Sequence, residues 1–326
     1  MDFGHHGPAV WLGFTGVVLL LLVLDLGVLN RRSHVLSFRE AITWSASLVG
    51  LAHLFGLFLL WREGTGPALE YYTGYLIELS LSVDNLFVFI LVFQYFGVPA
   101  VLQPRVLKWG ILGALIMRAI MIGIGALLLE RFSWIIFVFG GILIITGIRM
   151  FRGTDEHIEP EKNPIVALAR RILPFTGAYE GQRFFVKTVR GKLMATPLLL
   201  VLLVVEWTDL VFAIDSIPAI FAVTRDPFLV YSSNVFAIIG LRALFFVLAG
   251  MMDKFAYLKP GVAVILVFVG IKMLASHWVH IPTLLSLGVI ILTLTVAVLL
   301  SLRAASRAGT PIRATPEPPA AEPPLP

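Results

Sequence analysis

Long blocks of apolar residues, separated by short polar stretches, dominate the pattern along this chain. A soluble helix shows a narrower apolar stripe with a 3.6-residue period, whereas about 20 consecutive apolar residues cross roughly 30 Å of hydrocarbon. The pattern therefore predicts an all-α membrane protein with about nine transmembrane helices. The predicted helices cover residues 9–29, 42–61, 74–96, 107–129, 134–150, 197–222, 228–251, 261–278 and 282–302.

The composition agrees with a membrane environment, because 58% of the 326 residues are apolar and only 14% are charged. Soluble domains carry about 25% charged residues. The chain contains no cysteine, which excludes disulfides, iron–sulfur clusters, thiolate metal sites and cysteine nucleophiles. In a soluble protein, the net charge of +5 would suggest an acidic partner such as nucleic acid. In so apolar a chain the positions of the charges matter more than their sum. We therefore predict a lipid bilayer as the surroundings and no nucleic-acid partner.

Lysine and arginine residues fall unevenly on the two sides of the predicted bundle. With Met1 outside, 19 of the 25 lie in cytoplasmic segments, and only Arg62, Arg131 and Arg225 face the other side. Because basic residues in short loops stay in the cytoplasm, we expect the N-terminus outside and the C-terminus inside a bacterial cytoplasmic (inner) membrane. The remaining basic residues lie within the predicted spans: Arg118, Arg242 and Lys272.

Two segments of the chain repeat one another. The stretch ELSLSVDNLFVF, from Glu78, matches DLVFAIDSIPAI, from Asp209, and the later motif GIRM returns as GIKM. Each copy contains three predicted spans, and an odd number puts consecutive copies in opposite orientations. This predicts a 3+3 inverted repeat with a pseudo-two-fold axis in the membrane plane, and such transporters bind their substrate near the midplane, where the copies meet.

Two segments outside the spans have patterns of their own. The stretch PIVALARRIL is amphipathic and FFVKTVRGKLMA alternates, which predicts a small structured cap with a hairpin turning at Arg190-Gly191. The Pro-rich C-terminal end is expected to be disordered. The predicted organisation is two N-terminal helices (1–73), the first three-helix repeat (74–150), a cytoplasmic loop (151–195), the second, inverted repeat (196–278), a ninth helix (279–302) and the tail (303–326).

Acidic residues inside the spans are the strongest functional signal, since an ionised group at the bilayer centre costs roughly 2.5 to 3.5 kcal/mol. The six acids are Asp25, Glu78, Asp84, Glu206, Asp209 and Asp215. Oxygen ligands of this kind suit Mn²⁺, Mg²⁺ and Ca²⁺ better than zinc or copper. We therefore predict a divalent-cation site and no prosthetic group. Its candidate ligands are Asp84, Asp215, Glu78, Asp209, Asn85, Ser216 and Glu206.

A straight helix would not bring all these acids to one face, because Asp215 lies about 100° around the helix from Ser216. Pro218 follows three residues after Asp215 and cannot donate a backbone hydrogen bond. We therefore expect a kink or break there, which would free backbone carbonyls and re-aim the aspartate.

A structural role is the alternative, in which the acids form salt bridges with the three basic residues inside the spans. Five acids in the repeats against three bases leave a negative surplus, which favours a cation site. Asp25 lies close enough to the end of its span to reach the interface. Asn234 suits a helix cap or an ion ligand equally, and His277 with His280 is interpreted as an interfacial feature.

The strings ELSLSVDN, EWTDLVFAIDSIPAIFAVTRDPF, FAIIGLRALFF, LKPGVAVILVFVGIKML and HIPTLLSLGVI resemble the TerC/Alx family of bacterial integral membrane proteins. The resemblance runs from about residue 9 to residue 302. It implies a LysE-type transporter fold and manganese export across the cytoplasmic membrane, in a family named after tellurium-resistance operons. It also implies a role at the ion site for Glu78, Asp84, Asn85, Glu206, Asp209, Asp215 and Ser216.

The primary hypothesis is therefore a Mn²⁺ exporter that works by alternating access around a midplane carboxylate site, with proton exchange as a plausible coupling and without enzymatic activity. An intramembrane aspartyl protease is one alternative, with Asp84 and Asp215 as its two aspartates. A metal sensor or accessory subunit without transport is another. A homo-oligomer is compatible with each of them.

Overall fold

The computed structural model describes residues 6–24, 38–132, 134–152, 164–187, 191–249, 257–276, 278–279 and 281–307, without the side chains of Asp84 and Arg307. The predictions for Asp25, His277, His280 and residues 308–326 lie outside the described residues.

Helices make up most of the described chain. They are α1 (Pro8–Val23), α2 (Phe38–Glu63), α3 (Thr65–Tyr95), α4 (Gln103–Arg131), α5 (Ile135–Phe151), α6 (Pro164–Ile172), α7 (Pro197–Phe221), α8 (Pro227–Ile239), α9 (Leu241–Ala249), α10 (Leu258–Ala275) and α11 (Thr283–Arg307).

Six helices are long and apolar enough to cross a membrane, namely α2, α3, α4, α7, α10 and α11. Helices α8 and α9 meet the same criterion as a pair, bent by 43° at the break between them. Helices α1 and α5 are apolar but shorter, with 16 and 17 residues. The described residues thus support six or seven spans, and the count of nine stays a prediction.

Helix α8 begins with a side-chain cap. The Asp226 carboxylate accepts a hydrogen bond of 2.8 Å from the backbone N–H of Phe228, and Pro227 occupies the first helical position. Asn234 lies in the middle of this helix. The interpretation of Asn234 as a helix cap is therefore wrong, because Asp226 already caps the helix.

Helix α7 runs through Pro218 without a break. It ends at Phe221, and the Pro218 carbonyl accepts a hydrogen bond of 3.0 Å from the Ala222 N–H as in a regular helix. The expected break at Pro218 is therefore wrong. Proline cannot donate the N–H hydrogen bond to the carbonyl one turn earlier, and only a single turn of helix follows Pro218. Asp215 therefore projects from α7 at the angle that a regular helix gives it.

The segment between α5 and α7 carries the predicted hairpin. Strands β1 (Phe185–Lys187) and β2 (Leu193–Ala195) pair antiparallel. Gly191 takes the left-handed φ of +74° that glycine adopts at little cost. Helix α6 forms at the predicted amphipathic stretch and buries Val166 and Ala169, while Leu168 and Ile172 are exposed. The Tyr179 hydroxyl donates a 2.8 Å hydrogen bond to the Phe96 carbonyl, which ties this segment to the end of α3.

Helices α5 and α10 pack closely and antiparallel through small residues. A Cβ on Gly270 would lie 2.8 Å from the Gly140 carbonyl oxygen, and a Cβ on Gly147 would lie 2.9 Å from the Ala263 carbonyl oxygen. Such distances leave room only for hydrogen. These glycines therefore set how closely the two backbones approach, as small residues do between membrane helices.

We expect Gly270→Ala to destabilise the protein by about 1–3 kcal/mol, because the added methyl group overpacks this contact. Differential scanning fluorimetry in detergent measures the effect as a lower unfolding temperature. The matched control is Gly141→Ala on α5, where nothing lies within 4 Å of an added Cβ. Alanine favours helices over glycine by about 1 kcal/mol, so the control should match or exceed the wild type. Equal unfolding temperatures for the two variants would contradict the role of this contact.

Candidate cation site

Arg118, on α4, is fully buried and joins three helices. Its Nη1 donates to the Glu78 carboxylate of α3, and it also reaches Ser216 Oγ on α7 at 3.3 Å. Its Nε and Nη2 bind both carboxylate oxygens of Asp209, also on α7, at 3.2 and 3.0 Å. The planar guanidinium thus forms a bidentate pair with one acid and a single contact with the other.

The helices place these side chains by their periodicity. Asp209 and Ser216 are seven residues apart on α7, so they lie two turns apart on one face. Glu78 and Ser82 are one turn apart on α3, and the Ser82 hydroxyl lies 3.4 Å from the Glu78 Oε1 that Arg118 also binds. The structure therefore brings together three of the predicted ligands, Glu78, Asp209 and Ser216, around an arginine.

One positive charge faces two carboxylates in this cluster, which we call the arginine cluster (Glu78, Ser82, Arg118, Asp209 and Ser216). Glu78 is 0% exposed and Asp209 3%. The other carboxylate oxygen of Glu78, Oε2, has no hydrogen-bond partner among the described residues. If both acids are ionised, the cluster keeps a buried surplus negative charge, which a cation would neutralise.

Asp215 lies apart from the arginine cluster. Its carboxylate is half-buried and accepts a 2.9 Å hydrogen bond from the Thr146 hydroxyl of α5. This separation follows from the unbroken helix, since Asp215 projects about 100° away from Ser216. Thr146 was missed by the sequence analysis, because a threonine in an apolar helix carries no signal of its own.

Glu206 lines a narrow crevice between α3, α4, α7 and α9, and Asp209 lines it too. The remaining lining residues are apolar or glycine. The Glu206 carboxylate occupies the place where a Cβ of Gly113 would be, so a larger residue at this position of α4 would displace the end of the Glu206 side chain. The crevice therefore holds two acids and leads to the arginine cluster.

Two further predicted ligands, Asn85 and Asp84, lie on α3. Asn85 is buried on α3, and its Nδ2 has no hydrogen-bond partner among the described residues. Asp84 lies on the same helix, but its side chain is outside the description. Of the other basic residues predicted as counter-ions, Arg242 is buried on α9 and Lys272 is half-buried on α10.

The acids are not gathered as a ready-made metal cage. Among the described residues, no three histidine, aspartate or glutamate side chains lie together in a way that could hold a metal ion. Arg118 occupies the centre between Glu78 and Asp209 instead. The carboxylate oxygens that Arg118 binds could hold a cation only if the arginine moved aside, whereas Glu78 Oε2 has no hydrogen-bond partner among the described residues.

Comparison with known proteins gives a family. The profile of the "Integral membrane protein TerC family" matches residues 63–309. An uncharacterized membrane protein of Myxococcus xanthus is 52% identical over 283 residues, which is 87% of this chain and 88% of that protein. No solved structure matches the chain.

Two further relatives are named as candidate membrane-bound redox modulators, Alx. The one from Salmonella typhi is 48% identical over 302 residues, covering 89% of this chain and 94% of its own. The one from Escherichia coli K12 is 47% identical over 292 residues, covering 87% and 91%. With relatives similar along most of their length and the family profile matched over residues 63–309, this chain belongs to the TerC family of multi-pass integral membrane proteins.

Proposed function

We propose that the protein exports divalent cations, with Mn²⁺ as the substrate, by alternating access of two inverted three-helix units. The observation that carries the proposal is the buried meeting of Glu78 and Asp209 on Arg118. In the proposed repeat these two acids are equivalent positions of the two units, α3 to α5 and α7 to α10. A site shared by both units is what alternating access requires.

The contacts between α5 and α10 support the inverted repeat. The register that pairs Gly147 with Gly270 also pairs Gly140 with Ala263. If each residue is replaced by its counterpart in the other unit, the contact of Gly140 with Gly270 becomes the contact of Ala263 with Gly147. Both contacts occur. A two-fold axis between the two antiparallel helices would produce this pair of contacts.

Arg118 acts as the internal counter-ion of this transporter. While it binds Glu78 and Asp209, the two units are held together by charge-assisted hydrogen bonds. A divalent cation that binds the same oxygens makes the arginine unnecessary as a counter-charge. Exchange of Arg118 for the cation then couples occupancy of the site to the packing of the two units.

Glu206 and the crevice around it form the approach from the cytoplasmic side. Helix α7 begins on that side in the predicted orientation, and Glu206 lies one turn before Asp209. An incoming cation meets Glu206 first and Asp209 next along a crevice that is otherwise apolar. Water and anions make few favourable contacts in this crevice, whereas a divalent cation is attracted by two carboxylates.

Manganese is preferred over magnesium and calcium on the resemblance to the family, since oxygen ligands suit all three ions. The name of the Alx relatives suggests redox modulation. The present chain has no cysteine, so thiol–disulfide exchange within it is excluded, and a change of cellular redox state would follow from moving the metal.

Flux into or out of proteoliposomes tests the proposal. Purified protein is reconstituted with a metal-sensitive dye inside, and Mn²⁺, Mg²⁺, Ca²⁺ and Zn²⁺ are added in turn with and without an imposed pH gradient. We expect Mn²⁺ flux above protein-free liposomes, and acceleration by the gradient if protons are exchanged.

Two outcomes would contradict the proposal. Manganese binding without flux would indicate a sensor or an accessory subunit. Cleavage of a membrane-embedded peptide by the same preparation, without metal flux, would indicate the aspartyl protease alternative.

A further inference from the structure

Asn234 carries a buried amide for which the described part of the chain offers no hydrogen-bond partner. Its side chain is 0% exposed, and neither Oδ1 nor Nδ2 makes a hydrogen bond among the described residues. The neighbouring serines of α8 behave differently, because Ser232 and Ser233 donate to the carbonyls of Leu229 and Val230 within their own helix. Buried amides are normally satisfied, so Asn234 calls for a partner that the described residues do not supply.

The packing of α8 places Asn234 beside the arginine cluster. Val230, one turn before Asn234, belongs to an apolar cluster with Ile122 of α4. Leu241, the first residue of α9 after the 43° bend, lines the Glu206 crevice together with Ala114 of α4. Residues four apart share a helix face, so Asn234 lies on the face of α8 from which Val230 joins the apolar cluster of α4 and α7.

The level along α4 follows from the same contacts. Ala114, Arg118 and Ile122 are spaced four residues apart and lie on one stripe of that helix. Ala114 and Leu241 line the same crevice, and Ile122 and Val230 belong to the same apolar cluster. Arg118, midway between them, is therefore level with the stretch of α8 that contains Asn234.

Helix α7 gives the same level from the same crevice and apolar cluster. Asp209 lines the crevice with Leu241, and Ile220 belongs to the apolar cluster of Val230. Ser216, which Arg118 contacts, lies between Asp209 and Ile220. Both neighbouring helices thus put Asn234 at the height of the arginine cluster.

The chemistry of an amide fits this place. Oδ1 is a neutral oxygen, and neutral oxygens complete the coordination of hard divalent cations without adding charge. In the proposed repeat, Arg242 is the counterpart of Arg118, and the same alignment makes Gly110 the counterpart of Asn234. Since glycine has no side chain, an amide oxygen at this position would come from the second unit alone.

We propose that Asn234 is a further ligand of the transported divalent cation and contributes its amide oxygen when the cation replaces Arg118. The inference rests on the proposed function and extends it to a residue outside the repeated acidic motifs. It also explains why the amide has no hydrogen-bond partner among the described residues, since its partner is the transported cation.

The test is Mn²⁺ binding to purified full-length protein in detergent, measured by electron paramagnetic resonance titration, together with the unfolding temperature without metal. We expect Asn234→Ala to weaken Mn²⁺ binding by about tenfold or more, in the range that changes around metal sites cause. Its metal-free unfolding temperature should equal or exceed that of the wild type, since an unpaired amide is removed. Asn234→Asp retains an oxygen at this position. Its Mn²⁺ affinity should therefore stay within about threefold of the wild type, a much smaller change than the loss of a ligand causes.

Ser232→Ala, the matched control on the same helix, should leave Mn²⁺ binding unchanged because its hydroxyl bonds within the helix. A lower metal-free unfolding temperature for Asn234→Ala, with unchanged Mn²⁺ affinity, would overturn the inference and make Asn234 a structural residue. If the wild type transports Mn²⁺ and Asn234→Ala binds it equally well, only this inference fails. If the wild type neither binds nor transports any of the four cations, the proposed function fails with it.

Discussion

Replacing Arg118 by glutamine is expected to destabilise the protein by about 3–5 kcal/mol, the cost of removing one partner from a buried ion pair. The substitution leaves the carboxylates of Glu78 and Asp209 buried at 0% and 3% exposure without their counter-charge. The hydrogen bonds that join α4 to α3 and α7 are lost as well. The measurements are the unfolding temperature in detergent and the yield of monodisperse protein.

The control for this prediction is Arg39→Gln, which removes an exposed arginine at the start of α2 and should leave the unfolding temperature unchanged. A rescue variant separates charge from shape. Arg118→Met combined with Glu78→Gln and Asp209→Asn removes all three charges and should recover much of the lost stability, since neutral isosteres avoid the burial of unpaired charge. The triple variant should still be inactive in transport. If Arg118→Gln unfolds at the temperature of the wild type, the arginine cluster does not hold the helices together.

Replacing Asp215 by asparagine should abolish Mn²⁺ flux and leave the fold intact. Asp215 stands outside the arginine cluster and its described contact is a hydrogen bond from Thr146. Asparagine can accept the same hydrogen bond, so the unfolding temperature should stay within a few degrees. The lost charge removes a carboxylate ligand from the proposed path. The effect on flux should exceed the 10- to 100-fold that changes in the outer shell of metal sites cause.

Two variants control this prediction. Glu130→Gln removes an exposed acid at the end of α4 and should leave flux unchanged. Thr146→Val removes the hydroxyl that orients Asp215, so it should lower flux less than Asp215→Asn does. Wild-type flux in Asp215→Asn would exclude this residue as a ligand of the cation, and the same result in Asp84→Asn would exclude the second predicted aspartate.

The helices and the hairpin could be predicted because their signals are local. A run of apolar residues long enough to span a bilayer needs no knowledge of its neighbours, and alternation around Gly191 predicts a turn between two strands. The expected break at Pro218 failed for a physical reason. A proline one turn from the end of a helix removes one hydrogen bond but needs no new direction of the chain, and α7 continues to Phe221.

The sequence could supply candidate residues for the arginine cluster but not their arrangement. The periodicity of α3 places Glu78 and Ser82 on one face, and Ser82 contacts Glu78 as that spacing implies. Periodicity does not say which helix that face meets. Arg118 is 40 residues from Glu78 and 91 from Asp209, and both contacts arise from packing of separate helices. Thr146 reaches Asp215 across a separation of 69 residues in the same way.

The sequence by itself determined that this is a helical membrane protein with acids inside its spans and a repeated acidic motif, because hydrophobic length, charge and repetition are properties of the chain. Only the tertiary structure decided that Arg118 stands between Glu78 and Asp209, that Asp215 contacts Thr146, and that Asn234 is buried with no hydrogen-bond partner in the described part of the chain. The reason is that the rotation and spacing of each helix depend on its neighbours. Small residues such as Gly270 set these distances, and a carboxylate finds its partner only after the helices have packed.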